Sequence, residues 1–176
     1  MSLVYDPTRV QGFKSLSHAS GVMMETWAEM NLYCLGCPSD RLLKLPVNTP
    51  VSDFVCTQCG RLYQLKAKNG RFRNVVPGSE YNTMLAAVRA NRAPEFILAE
   101  YDIRWSMVVW LRALPGAQLV EERIVPRKPL SASARRAGWQ GCNLNIDGLR
   151  SVSIVAPIAA DRVACRADWK RLDTRP

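Results

Sequence analysis

Long apolar runs are missing from this sequence. The longest, residues 106–111 with their flanks, is the length of a strand, which excludes a membrane-spanning helix. The first 30 residues hold Lys14, His18 and Glu25 and lack a secretory h-region, so a cytoplasmic protein with reduced thiols is expected. There is no low-complexity tract, and no internal repeat beyond two cysteine pairs, so neither a disordered chain nor a repeat architecture is expected. Acidic residues are few beside basic ones: 15 Asp and Glu face 24 Lys and Arg. The resulting net charge of +9 favours polyanionic partners, through phosphate contacts and counterion release. What remains is ordinary for a globular protein, and 176 residues suffice for one domain with a sizeable core.

Residues 15–30 read as a helix, with Val22, Met23, Trp27 and Met30 near helical spacing. Residues 31–50 read as a loop carrying the first cysteine pair. Residues 51–55 and 62–68 read as two strands, with the second pair in the turn between them. A second helix is predicted over 78–92, with an apolar stripe of Met84, Leu85 and Val88 and a stop at Pro94. Residues 95–101 and 105–111 read as paired strands, 118–125 as a further short strand and 152–156 as the last one. Between them, 126–143 is basic and turn-rich. The order helix, strands, helix, strands predicts an α/β chain with a mixed sheet flanked by helices.

Cys34-Leu-Gly-Cys37 and Cys56-Thr-Gln-Cys59 are two C-x-x-C knuckles with eighteen residues between them. Each knuckle places two thiolates on one edge of a tetrahedron, and two knuckles complete the four ligands that Zn²⁺ requires. Gly36 and Gly60 suit the tight turns. Two redox pairs or four buried thiols are the competing readings, but a redox C-x-x-C normally opens a helix after a strand. Four thiolates close the coordination shell, so the zinc would be structural. Cys142 and Cys165 stand alone and read as ordinary buried residues.

Pro50-Val-Ser-Asp53 and Gln64-Leu-Lys66 form a second constellation. Gln64 and Lys66 lie two apart on one strand and share a face, and Asp53 joins them if the two strands pair as a hairpin. Asp53 would hold a hard cation such as Mg²⁺, with Gln64 adding an amide oxygen and Leu65 its carbonyl. Lys66 would orient the attacking water and stabilise developing charge, which suits phosphodiester hydrolysis. On its own this D-x(10)-Q-x-K pattern is weak and fits a solvated strand face with a surface charge pair better than a catalytic site.

The chain resembles the PD-(D/E)XK nucleases and, more narrowly, the catalytic domain of DpnI-type restriction endonucleases, the Dam-replacing family. The resemblance spans roughly residues 20–160. It rests on Tyr33-Cys-Leu-Gly-Cys37, Pro50-Val-Ser-Asp-Phe-Val-Cys56, Tyr63-Gln-Leu-Lys-Ala-Lys-Asn-Gly70, Tyr81-Asn-Thr-Met84 and the run from Pro126 to Asn143. It implies a PD-(D/E)XK-like domain over 1–160 with the zinc site inserted at 34–59. It further implies catalytic Mg²⁺, structural Zn²⁺ and cleavage of duplex DNA at GATC sites carrying N6-methyladenine, in a bacterial cytoplasm. On the matching positions Asp53 is the metal-binding carboxylate and Lys66 the catalytic lysine. The family pattern has an acid where this chain has Gln64, so the site is short of one negative charge. Glu25, Glu29 or Glu80 could compensate; without compensation the chain would be a non-catalytic DNA-binding module. Related enzymes continue into a winged-helix domain, whereas here a short basic tail is expected over 161–176, with Arg162, Arg166, Lys170, Arg171 and Arg175.

The resemblance also marks 126–143 as a DNA-binding segment. Arg127, Lys128, Arg135 and Arg136 would contact phosphates or base edges, and Trp139 would stack on a base, a core position being its competing reading.

Overall fold

In the computed structural model, which describes residues 1–10, 12–13, 15–156 and 158–173, Ser15 opens the first long helix. Its hydroxyl accepts the His18 N–H (3.3 Å) and caps α1, Leu16–Asn31. The helix lays Met23, Met24, Trp27 and Ala28 onto one face of a six-stranded mixed sheet of order β1-β2-β3-β5-β6-β9. These strands are β1 (Leu43–Lys44), β2 (Phe54–Val55), β3 (Leu62–Asn69), β5 (Glu95–Asp102), β6 (Met107–Leu114) and β9 (Val152–Val155). β3 and β5 run parallel, which requires a crossover; β4 (Val75–Glu80) and α2 (Tyr81–Arg89) supply it. β4 belongs to a second, three-stranded antiparallel sheet of order β4-β8-β7, with β7 at Ile124–Pro126 and β8 at Gly141–Asn145. Pro77 and Pro126 sit on its two outer strands, where a missing N–H costs no ladder bond. The expected mixed sheet flanked by helices is therefore present. Among the described residues no helix is long and apolar enough to cross a membrane.

Two cores lie on opposite faces of β5, whose residues from Glu95 to Tyr101 are all buried. Ile97 and Ala99 face α1, and Phe96 and Leu98 face the small sheet and α2. The alternation carries straight onto β3. Tyr63 joins the first core, while Gln64 and Lys66, opposite Phe96 and Leu98, belong to the second face.

Four boundaries differ from the expectations. The strand over 51–55 reduces to Phe54–Val55, and Asp53 occupies a bend just before it. Val51 adopts φ 51°, a left-handed conformation costly for a β-branched residue, and this breaks the strand. The helix over 78–92 starts only at Tyr81, because Glu80 accepts the Asn82 and Thr83 N–H groups and caps it, leaving 78–80 in β4. Gly78 belongs there on steric grounds: a Cβ would meet the Cys142 sulfur. The strand over 118–125 is two short helical turns followed by β7. Most consequentially, the expected basic tail contains α3, Arg162–Leu172, capped by Asp161, with Cys165 and Trp169 buried in the first core. Arg175 lies outside the described residues.

Candidate functional site

The two knuckles converge. The four cysteine sulfurs lie within 4.8 Å of one another, with Cys34–Cys59 and Cys37–Cys56 each at 3.5 Å. Tetrahedral coordination at about 2.3 Å from metal to sulfur places sulfurs about 3.8 Å apart, and a disulfide would need about 2.05 Å. The arrangement thus fits a metal ion and not a bridge, and the four thiols could hold one such as zinc. Burial disfavours the Cys56 thiolate, but the N–H groups of Cys59 and Gln58 and the neighbouring thiols outweigh it and bring the group down to about 6. The Tyr63 hydroxyl lies 3.2 Å from the Cys34 sulfur and accepts the Leu35 N–H (3.1 Å), so β3 itself orients the first knuckle.

Helix α3 clamps the same loop. Arg166 donates to the carbonyls of Cys34 (3.0 Å), Pro38 (3.1 Å) and Ser39 (2.9 Å), and with Arg162 it pairs with Asp40. Both guanidiniums lie over the Tyr33 ring, at 4.8 Å and 5.3 Å. These two tail arginines therefore hold the protein together. Arg166→Ala should remove about 2–3 kcal/mol, since each carbonyl loses a charged donor. Thermal denaturation would show that loss, and a colorimetric chelator should strip the metal faster.

Asp53 is pinned just before β2 begins. Its N–H donates to the Tyr63 carbonyl and its own carbonyl accepts the Leu45 N–H, both at 2.8 Å. Its carboxylate accepts the Leu65 N–H (2.8 Å). Among the described residues β2 pairs with β3 only at Phe54↔Tyr63 and Val55↔Leu62, so the β3 edge is open from Leu65 onward. A strand residue projects its N–H and C=O to the same side, which turns the Leu65 carbonyl toward Asp53. Extending the register by one step sets Asp53 opposite Gln64.

The electrostatics bind this group together. Burial raises the Asp53 carboxyl above its usual range, opposed by the Leu65 N–H and the Lys66 charge. Burial likewise lowers the Lys66 ammonium, opposed by Asp53 and Cys142. Gln64 is only 4% exposed. Its Nε2 donates to Ser79 Oγ (2.7 Å), and its Oε1 is buried without a hydrogen-bond partner. Such an orphan acceptor is costly to bury. Asp53, Gln64 and the Leu65 backbone each carry an oxygen of the kind a hard divalent cation takes.

The segment between β7 and β8 is a hairpin-like loop, closed by Arg127 N–H to the Gly141 carbonyl (2.8 Å) and Leu130 N–H to the Trp139 carbonyl (2.9 Å). Arg127, Lys128, Arg135 and Arg136 are exposed on it. Trp139 is half-buried, its ring packed against Gly141 and covered by the Arg136 guanidinium at 4.6 Å. Ser79 accepts from Gln64 Nε2 at its hydroxyl (2.7 Å) and from the Cys142 sulfur at its carbonyl (3.4 Å), so the root of this loop adjoins Gln64. Cys142 and Cys165 are buried, as expected of lone cysteines. Sequence reasoning missed Ser79, Lys44 and the Arg162–Arg166 clamp. The clamp did leave a signal, because two arginines four apart behind Asp161 share one face of a capped helix.

A model of the Dam-replacing family, described as DpnI, matches residues 1–171 of the 176. The chain belongs to that family. The match includes α3 almost to its end, in keeping with the buried Trp169. Membership points to a DNA-binding restriction endonuclease, and it places the cysteine cluster, the Asp53 cluster and the basic loop within one matched unit.

Proposed function

We propose that this protein is a Mg²⁺-dependent PD-(D/E)XK endonuclease that hydrolyses duplex DNA at GATC sites carrying N6-methyladenine. The observation that carries the reading is the buried, unpartnered Gln64 Oε1 on the strand that also bears Lys66 and gives its Leu65 N–H to the Asp53 carboxylate. Asp53 would anchor the cation, with Gln64 Oε1 and the Leu65 carbonyl as further oxygen ligands. When bound, Mg²⁺ stabilises charge on the phosphate and acidifies an attacking water. Lys66 positions that water and holds positive charge against the phosphoryl oxygens. Arg127, Lys128, Arg135 and Arg136 engage the duplex, and Trp139 packs near the modified base. The Cys34–Cys37–Cys56–Cys59 site holds structural zinc and takes no part in the chemistry.

A single methyl group filling an apolar pocket gives about 1–3 kcal/mol of discrimination, or roughly 10–200-fold in rate. With Mg²⁺ and matched plasmids, the methylated form should be cut faster by a factor in that range, with slow cutting of the unmethylated form. Gln64 favours a second reading, a non-catalytic methyl-DNA-binding module, because a neutral amide replaces a carboxylate at the metal. Binding of either plasmid without any cleavage in Mg²⁺ would select that reading over ours.

A further inference from the structure

The Asp53 site has a second wall. On the α1 side of Asp53 lies a cavity of about 330 Å³ whose polar lining is His18, Glu25, Lys44, Asn48, Ser52 and Asp53. Ser52 is 3% exposed, and its hydroxyl has no hydrogen-bond partner. Glu25 also lines a neighbouring cavity of about 410 Å³ with Leu65, so it borders both the cavity that Asp53 lines and the one along β3. Its carboxylate pairs with Lys44 at 2.8 Å, and its charge acts on Asp53. The other two acids are elsewhere: Glu29 is exposed one turn further along α1, and Glu80 is engaged in capping α2.

We propose that Glu25 is the second carboxylate of the divalent-cation site, entering from α1 and restoring the negative charge absent at Gln64. This rests on the metal site proposed above. Asp53 alone gives one negative charge against a divalent ion, and affinity for such ions is tuned by ligand charge. Lys44 neutralises Glu25 until the cation replaces it. The Ser52 hydroxyl, buried and unsatisfied in the same cavity, serves the ion's water shell. Helix α1 thereby becomes part of the catalytic apparatus as well as of the core.

Mn²⁺ titration of the full chain with its cysteine site filled, followed by the EPR signal of free Mn²⁺, tests this without recourse to cleavage. Glu25→Gln should weaken Mn²⁺ binding about tenfold or more, while Glu29→Gln leaves it unchanged. Adding Gln64→Glu to Glu25→Gln should restore binding, because the charge returns at the other position. Binding by Glu25→Gln equal to wild type, with Asp53→Asn impaired, overturns the Glu25 assignment alone. A loss in Glu25→Gln that Gln64→Glu fails to correct also overturns it, since the loss is then one of structure and not of charge. If Asp53→Asn binds as tightly as wild type, the metal site itself is misplaced and both readings fall.

Discussion

Asp53→Ala should lower the rate of DNA cleavage at least about a thousandfold while leaving metal content at the cysteines and DNA affinity near wild type. The size follows from what the residue does. A bound cation contributes several kcal/mol of charge stabilisation to phosphoryl chemistry, and each 1.36 kcal/mol is a factor of ten. The selectivity follows from position. The Asp53 carboxylate touches the Leu65 N–H just before β2 begins, whereas the exposed arginines belong to the β7–β8 loop. Alanine also strands the Leu65 N–H, so some loss of stability accompanies it. Asp53→Asn separates the two effects: it keeps an oxygen for Leu65 and removes the charge. Asparagine should match alanine in lost cleavage and wild type in melting temperature. Lys66→Ala should give a comparable drop in cleavage through a different group. Undiminished cutting by Asp53→Asn would remove the site from this part of the fold.

What the sequence could show depended on how local the interaction was. The two knuckles are spelled out in cysteine spacing, and the shared face of Gln64 and Lys66 follows from the two-residue period of any strand. Both survive in three dimensions. The small sheet was invisible for the opposite reason. β4 pairs with a strand almost seventy residues later, Val76 facing Leu144, and carries Pro77 and Gly78, which read locally as a break. The bend at Asp53 depends on a positive φ at Val51, which nothing about valine foretells. Glu25 and Glu29 sit four apart on one helix, and sequence cannot choose between them. The choice is made by how α1 lies across β3, which leaves Glu25 lining the cavity with Asp53 and Glu29 exposed. The basic character of 161–176 suggested only a short tail, yet Arg162 and Arg166 sit on a helix and hold carbonyls and Asp40. Net charge counts arginines without saying which face of a helix they occupy.

Removing the metal from the four cysteines should lower the melting temperature by about 8 °C or more and open residues 31–62 to hydrogen exchange. Structural Zn²⁺ binds small folded peptides with about 10–16 kcal/mol, while a whole domain is stable by about 5–15 kcal/mol. Even if tertiary packing retains most of the geometry, a loss of about 4 kcal/mol would shift the midpoint by roughly 8–16 °C in a chain of this size. The damage should spread because Cys34 and Cys56 are fully buried in the first core, beside Tyr33, Leu35, Phe54 and Tyr63. Arg166 opposes the opening by holding the Cys34, Pro38 and Ser39 carbonyls, so chelation combined with Arg166→Ala should exceed the sum of the two separate effects. Cleavage should fall along with stability. The Tyr63 side chain touches the Cys34 sulfur while its backbone carbonyl receives the Asp53 N–H, so a loosened knuckle moves the strand that positions Asp53. A chelated protein with unchanged melting and unchanged exchange over 31–62 would mean that packing alone holds the four thiols together.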